Sequence, residues 1–421
     1  MKKIILALIL MVALLGIGIP ATAQEEDEEI KGKNYFLNLS LFYPVSLNKT
    51  KEDSTNINLS LIYSRVGYIS GVDLSLVGSA VSHRLRGIQI CGLVGVIGSH
   101  GTGLQASGLF NVAGKSFTGF QGSGLMNIVG SDFTGLQTTF LMNIVGSNGA
   151  GLQTAGLANI AGENYSWGQI AGGFNIVGDR AEGFQIAGGF NIAGDRAEGF
   201  QLGGLFNIVG ERFSGFQMAG LCNVVGDVFE GLQLGTFNIA GESKGVQIGV
   251  ANAGETSEGV QIGVVNYTKK ENTGVPFGLV NLAKNGRIRG VFWGGNQVAA
   301  TAGMKFTVGR LYSIVSVGGG NLDDSISGSL TYGFHYGISF PVGQTGLYTD
   351  LGFRFRDNEP LFKHLPLERD QYILEARFIW GIPISKEFSF LLGTGVSRRW
   401  NTGEGFPGKN SLLILAGIEI F

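Results

Sequence analysis

Cysteine, histidine and proline are scarce in this chain, and each scarcity removes a class of protein. Two cysteines in 421 residues, Cys91 and Cys222, are too few for a disulfide-stapled fold. The four histidines, His83, His100, His335 and His364, are scattered, and none stands beside a Cys or carboxylate at metal-ligand spacing. Eight prolines and the absence of a Gly-X-Y period exclude collagen, although glycine reaches 71 residues. No charge of one sign dominates: 30 Lys+Arg face 32 Asp+Glu, net −2, which argues against nucleic acid as a partner. Helical periodicity is missing, and glycine this frequent disfavours helix. What is abundant, with 29 Phe and 44% apolar residues, excludes plain disorder.

The N-terminus is a basic start, Met1-Lys2-Lys3, then an apolar run from Ile4 to Ile19 and a small-residue end at Ala21-Thr22-Ala23. This pattern predicts a secretory signal peptide over 1–23, followed by an acidic linker over 24–33. The apolar run is shorter than the roughly 20 residues a spanning helix needs. Removing Lys2 and Lys3 leaves 28 basic against 32 acidic residues, net −4.

From Gly71 the chain repeats with a period of 16, and the consensus is G-Φ-Q-x-x-G-x-Φ-N-Φ-x-G plus four polar or mixed positions. Glutamine recurs at Gln89, Gln105, Gln121, Gln137, Gln153, Gln169, Gln185, Gln201, Gln217 and Gln233. Asparagine recurs at Asn111, Asn127, Asn143, Asn159, Asn175, Asn191, Asn207 and Asn223. The period then shortens to 14, through Gln247 and Gln261 with Asn238, Asn252 and Asn266. Short apolar pieces punctuated by Gly are β-strands.

Two all-β architectures fit. In a parallel β-solenoid each unit is one coil, Gln stacks on Gln and Asn on Asn, and the amides bond along the stack as ladders. In a single large up-and-down outer-membrane barrel each unit is one strand with alternate residues facing lipid. The Gln-to-Asn spacing falls from six residues in the long units to five in the short ones. That odd change would flip Asn to the other face of one continuous strand, whereas a bend between two strands absorbs it. The solenoid is therefore the expected fold, with the barrel as its alternative. In that register Cys91 and Cys222 lie about 38 Å apart at roughly 4.8 Å per coil, too far to bridge. Two free, buried thiols are expected.

The flanks are β-rich as well. Residues 34–70 read as a strand pair capping the first coil, 71–290 as the repeat region, and 291–421 as an antiparallel, barrel-like C-terminal domain. There, Ile326, Leu330, Tyr332, Phe334, Tyr336, Ile338 and Phe340 share one face. Leu347, Leu351, Phe353 and Phe355 oppose Asp350, Arg354 and Arg356. Tyr372, Leu374, Ala376, Phe378, Trp380 and Ile382 oppose Glu375 and Arg377. Charges inside and aromatics outside are what a membrane barrel shows, and the alternative is a soluble β-sandwich with one face on the solenoid end.

No site for catalysis emerges. Gly403 to Gly408 matches G-x-G-x-x-G but opens no helix, so it reads as a hairpin loop. The pairs Asp179/Glu182 and Asp195/Glu198 fall in unit-end turns with Arg180 and Arg196 beside them, a solvated charge-balanced edge. Asp323-Asp324 reads as a hairpin tip. No cofactor is expected. The amide ladders have a structural role, or else form a polar stripe for a ligand.

Two units, GVQIGVAN over 245–252 and GVQIGVVNY over 259–267, resemble the GLQIGLVNYA repeats of the spirochaete-type bacterial surface repeat proteins. The resemblance covers about residues 35–290, and the C-terminal part only in style. It implies an exported protein of the outer membrane or cell surface of a Gram-negative-type bacterium, with no established chemistry. The expected function is a non-enzymatic structural or adhesive scaffold whose partners are that membrane or surface and a protein or glycan ligand. The alternative is an outer-membrane channel or assembly protein.

Overall fold

The computed structural model describes residues 32–47, 52–319, 330–342, 345–357, 371–401 and 408–420. The expected signal peptide, nearly all of the acidic linker, Ile326, the Asp323-Asp324 tip, His364 and the loop from Gly403 to Pro407 lie outside the described residues. The fold has two compact units, divided between Asp227 and Val228.

The first unit is a stack of parallel strands. Strand Asn34–Phe42 pairs in parallel with Ser54–Ser75, Asn34 opposite Ser54 and Ser40 opposite Ser60. Ser54–Ser75 pairs in parallel with Gly78–Cys91. The expected capping pair is thus the start of the stack itself. Each full rung then holds two strands, such as Arg180–Ala187 and Phe190–Ala193. They pair in parallel with Arg196–Gly203 and Phe206–Val209, placing Gln185 opposite Gln201 and Asn191 opposite Asn207. Neighbouring units run the same way, so the alternative of one large up-and-down barrel is wrong: identity from unit to unit places like groups side by side only in a parallel stack.

Arg180, Ala181 and Glu182 extend the first strand instead of forming the expected turn. The bend lies one residue on, at Gly183, with φ +95°. A Cβ there would come within 2.1 Å of the Trp167 carbonyl oxygen one rung below, so the corner takes glycine for both conformation and space. Trp167 occupies the same corner with φ +97°, the one non-glycine of its kind among the described residues.

The second unit opens with 14-residue rungs, in which Gln247 accordingly lies opposite both Gln233 and Gln261, and Asn252 opposite both Asn238 and Asn266. These rungs end their first strand one residue sooner, at Leu234 or Ile248, and so absorb the odd change in spacing before the bend. The last rung, Val275–Ala283, sets Pro276 where the next glutamine would stand.

Eight antiparallel strands then close into a barrel, from Arg287–Gly295 to Lys409–Ile420, with Gly290 opposite Ile420 at the seam. The barrel begins at Arg287, four residues before the expected boundary. At one rim the connections are short: 309–310, 343–344 and 384–387. At the other they are 296–299, 320–329, 358–370 and 402–408. The last rung packs on the outer wall at the short-turn rim. Ser313 donates to the Leu279 carbonyl at 3.1 Å and Tyr336 to the Pro276 carbonyl at 3.1 Å.

Candidate functional site

Three features concentrate chemistry: the amide ladders, the barrel interior, and the outer faces of both units. Gln105 to Gln217 and Asn111 to Asn223 are all at most 4% exposed. Each glutamine Nε2 donates to the Oε1 of the glutamine one rung earlier, as Gln169 does to Gln153 at 2.8 Å and Gln185 to Gln169 at 2.9 Å. The asparagines bond the opposite way: Asn159 Nδ2 donates forward to Asn175 Oδ1 at 2.9 Å, and Asn175 to Asn191 at 2.9 Å. The two rows of amide dipoles therefore oppose each other. The asparagines also donate to backbone, as Asn175 does to the Ile186 carbonyl at 2.9 Å, which ties the second strand of one rung to the first strand of the next. With the amides sealed inside, a ligand in solvent has no polar stripe to touch.

The ladder ends are capped by different groups. The donor end of the glutamine row meets Asp73, which stands at the glutamine position of its own rung and accepts from Gln89 at 2.9 Å and Asn58 at 2.5 Å. Burial raises the Asp73 carboxyl above the usual range, against the pull of Ser79, Gln89 and Asn58. In the second unit Gln261 Oε1 accepts from Asn272 Nδ2 at 3.3 Å. The asparagine row passes from Asn266 to Asn281 at 2.8 Å and on to Ser313 of the barrel at 3.1 Å. In the first unit the asparagine row starts at Asn111, whose Oδ1 has no partner, because Gly95 stands where another asparagine would.

Inside the barrel, charges are paired between adjacent or next-but-one strands. Arg377 clamps Asp350 through two bonds of 2.7 and 2.8 Å, and Tyr312 donates to the same carboxylate at 2.9 Å. Glu375 holds Arg354 at 2.9 Å and His335 at 3.2 Å. Glu419 holds Arg289 at 2.8 Å and Lys305 at 3.3 Å, and the Lys305 ammonium lies 3.6 Å from the Tyr348 ring centre. Trp293, Ile379, Leu413 and Leu415 fill the space beside this network. The cavity left among Trp293, Lys305, Tyr312 and Arg377 is about 20 Å³, room for about one water.

The outer wall of the barrel is the reverse. Leu351 is 67% exposed, Val396 61% and Leu412 60%. On the wall formed by Leu330–Val342, Gln371–Pro383 and Phe388–Asn401, Tyr332, Tyr372 and Trp400 lie toward the long-loop end, while Phe340, Trp380 and Phe388 lie toward the short-turn end. The outward residues of the solenoid are apolar as well, such as Phe140, Leu205, Met218 and Leu221. At its N-terminal end an open groove of about 920 Å³ is lined by Leu41, Leu47, Leu61, Leu76 and Ile90, with serines between them.

No nucleophile or acid–base pair is assembled in that groove. Both cysteines are free; Cys91 is buried as expected, but Cys222 is only half-buried, because it takes an outward position where the next rung down has Phe206. Burial pushes both thiols up, Cys91 far up, which suppresses the reactive thiolate. Among the described residues no group of three His, Cys, Asp or Glu side chains could hold a metal ion. Arg180 bonds Glu182 at 2.8 Å and Glu198 at 3.0 Å, the charge-balanced edge expected of that pattern. The outward set of apolar side chains was readable only as the residues left over once the amides turned in.

Comparison with protein-family models, with curated proteins and with solved structures finds no match to this chain.

Proposed function

We propose that the chain is a non-enzymatic structural repeat protein held in a bacterial outer membrane by its eight-strand barrel, with the solenoid on the periplasmic side. The inverted polarity of the barrel carries this reading. Charged and polar side chains line a filled lumen, and apolar side chains face outward, with aromatics near both ends of one side of the wall. A water-soluble barrel has the opposite distribution, whereas hydrocarbon outside requires this one. Its strands are long enough to cross a bilayer, from Arg287–Gly295 at the short end to Phe388–Asn401 at the long end. The asymmetry of the connections supports the sidedness: membrane barrels keep short turns in the periplasm, and the repeats join the barrel at the short-turn rim. The channel alternative is not favoured, because ion pairs and packed apolar groups occupy the lumen.

Expression of the full chain in a Gram-negative host tests the reading. The expected result is carbonate-resistant association with outer membranes, heat-modifiable migration in gels, and no steady conductance in planar bilayers. Leu374→Arg, which sets a charge on the outer wall, is expected to cost about 2–4 kcal/mol and to abolish the heat-modifiable form. A chain released by carbonate, or one that conducts ions, overturns the proposal.

A further inference from the structure

Each rung from Gly87 to Gly226 is divided between two chemistries. The twelve residues that run from the corner through the asparagine strand carry no charge in any rung. Charges are confined to the four that follow, as in Asp179-Arg180-Ala181-Glu182 and Asp195-Arg196-Ala197-Glu198. With the amides turned inward, the side chains flanking them face out on both sides of the bend at Gly188-Gly189. Leu205 is 46% exposed, Met218 45% and Leu221 44%, and Phe174 stacks on Phe190 along the outside at 5.0 Å. Nine rungs at roughly 4.8 Å each make an uncharged surface about 40 Å long. A soluble monomer rarely leaves so large a contiguous apolar area uncovered.

We propose that these two outer faces seat side-on in one leaflet of a lipid bilayer, with the charged strip turned to water. The inference deepens the reading above, since it presupposes a chain held at a bilayer by its barrel. Four observations select lipid as the occupant. Backbone groups are bonded rung to rung, the amides are inside, and the outward Thr154 hydroxyl donates to Thr138 at 3.0 Å, so the faces can enter an apolar phase with few stranded polar groups. The faces offer a protein no charged anchor, and protein interfaces combine an apolar centre with a polar, specific rim. The bend separates two apolar faces, so a flat second copy would cover only one of them. In the second unit the same kind of surface continues onto the barrel wall, where the Phe277 ring lies 4.5 Å from that of Tyr336. Charges in the strips of seven of the nine rungs forbid spanning, so the stack lies along the membrane plane, as interfacial amphipathic elements do.

The test places single cysteines in a Cys91→Ala, Cys222→Ala background of the full chain, labelled with an environment-sensitive fluorophore in phospholipid vesicles. Ile192→Cys reports the apolar face, Glu198→Cys the charged strip, and Leu374→Cys the barrel wall. Brominated acyl chains should quench the Ile192 and Leu374 probes several-fold more than the Glu198 probe, and aqueous iodide should show the reverse order. If Leu374 is quenched by bromolipid while Ile192 responds to iodide like Glu198, the seat is wrong and the barrel reading stands. If Leu374 is not quenched by bromolipid, the barrel reading falls and the seat with it. A probe at Ile192 shielded from both quenchers assigns the face to a second copy of the chain and overturns the proposal. Should Ile192→Cys not fold, native Cys222 in a Cys91→Ala chain reports the same face.

Discussion

Gln169 shows why the interior of the stack tolerates so little change. Its Nε2 satisfies Gln153 and its Oε1 satisfies Gln185, both wholly out of water. Gln169→Leu keeps the volume but leaves one acceptor and one donor buried without partners. At about 1–3 kcal/mol for each orphaned group, a loss of about 2–6 kcal/mol is expected in urea unfolding. Ile170→Val, one residue on and facing outward, should cost less than about 1 kcal/mol. Equal losses would mean that the ladder contributes nothing beyond bulk. Asp73 adds a dependence on pH. Its folded-state pKa is raised, so the fold favours the protonated acid. Its contribution is fully present below the unfolded value of about 3.9 and is lost as pH rises through the folded value. Asp73→Gln, which installs the residue of the following rungs, removes this group. The unfolding midpoint of the native chain should therefore fall relative to that variant as pH rises from about 3.5 to about 7. A pH-independent difference between the two would sink the assignment.

At the scale of the element, the sequence carried most of the stack. Gln and Asn at identical places in successive units dictated parallel register, and the step from six to five between them located the bend. The strand faces of the C-terminal domain were equally legible, because alternation in Tyr372 to Ile382 against Glu375 and Arg377 has a period of two that only a strand satisfies. Less legible was where each strand stops. Arg180 to Glu182 carries turn-like polarity, yet it stays extended because its charges bond along the stack and leave the bend to Gly183. Asp73 was hidden for another reason: it is a local exception to the glutamine position, and only its burial shows that it ends the row. The rung is the modular unit, so removing residues 183–198 as a block should be nearly silent. It joins Glu182 to Gly199, and Gln201 then follows Gln169 in register. Deleting Phe184 alone turns Gln185 outward and breaks the row. Limited proteolysis should leave the block deletion resistant and cut the Phe184 deletion near that rung. Resistance of both would show that the chain re-registers freely, against a laddered core.

For the whole molecule, the decisive asymmetry is between the rims of the barrel. The two rims differ in the chain they must accommodate: two to four residues per connection at one, and up to thirteen at the other. A barrel inserted from the periplasm carries its loops across the membrane with its long-loop rim leading, and this leaves the short turns behind. Everything before Arg287 enters the barrel at the short-turn rim, so under the proposed membrane reading connectivity puts the repeats on the periplasmic side. A membrane-impermeant maleimide applied to intact cells decides the matter. Ala299→Cys, exposed in the 296–299 connection of the opposite rim, should label at once. Glu198→Cys, exposed on the charged strip, should label only after the outer membrane is permeabilised. Labelling of Glu198→Cys in intact cells with Ala299→Cys silent would invert the topology. The uncharged faces would then meet the outer leaflet, and the repeats would be a surface coat after all.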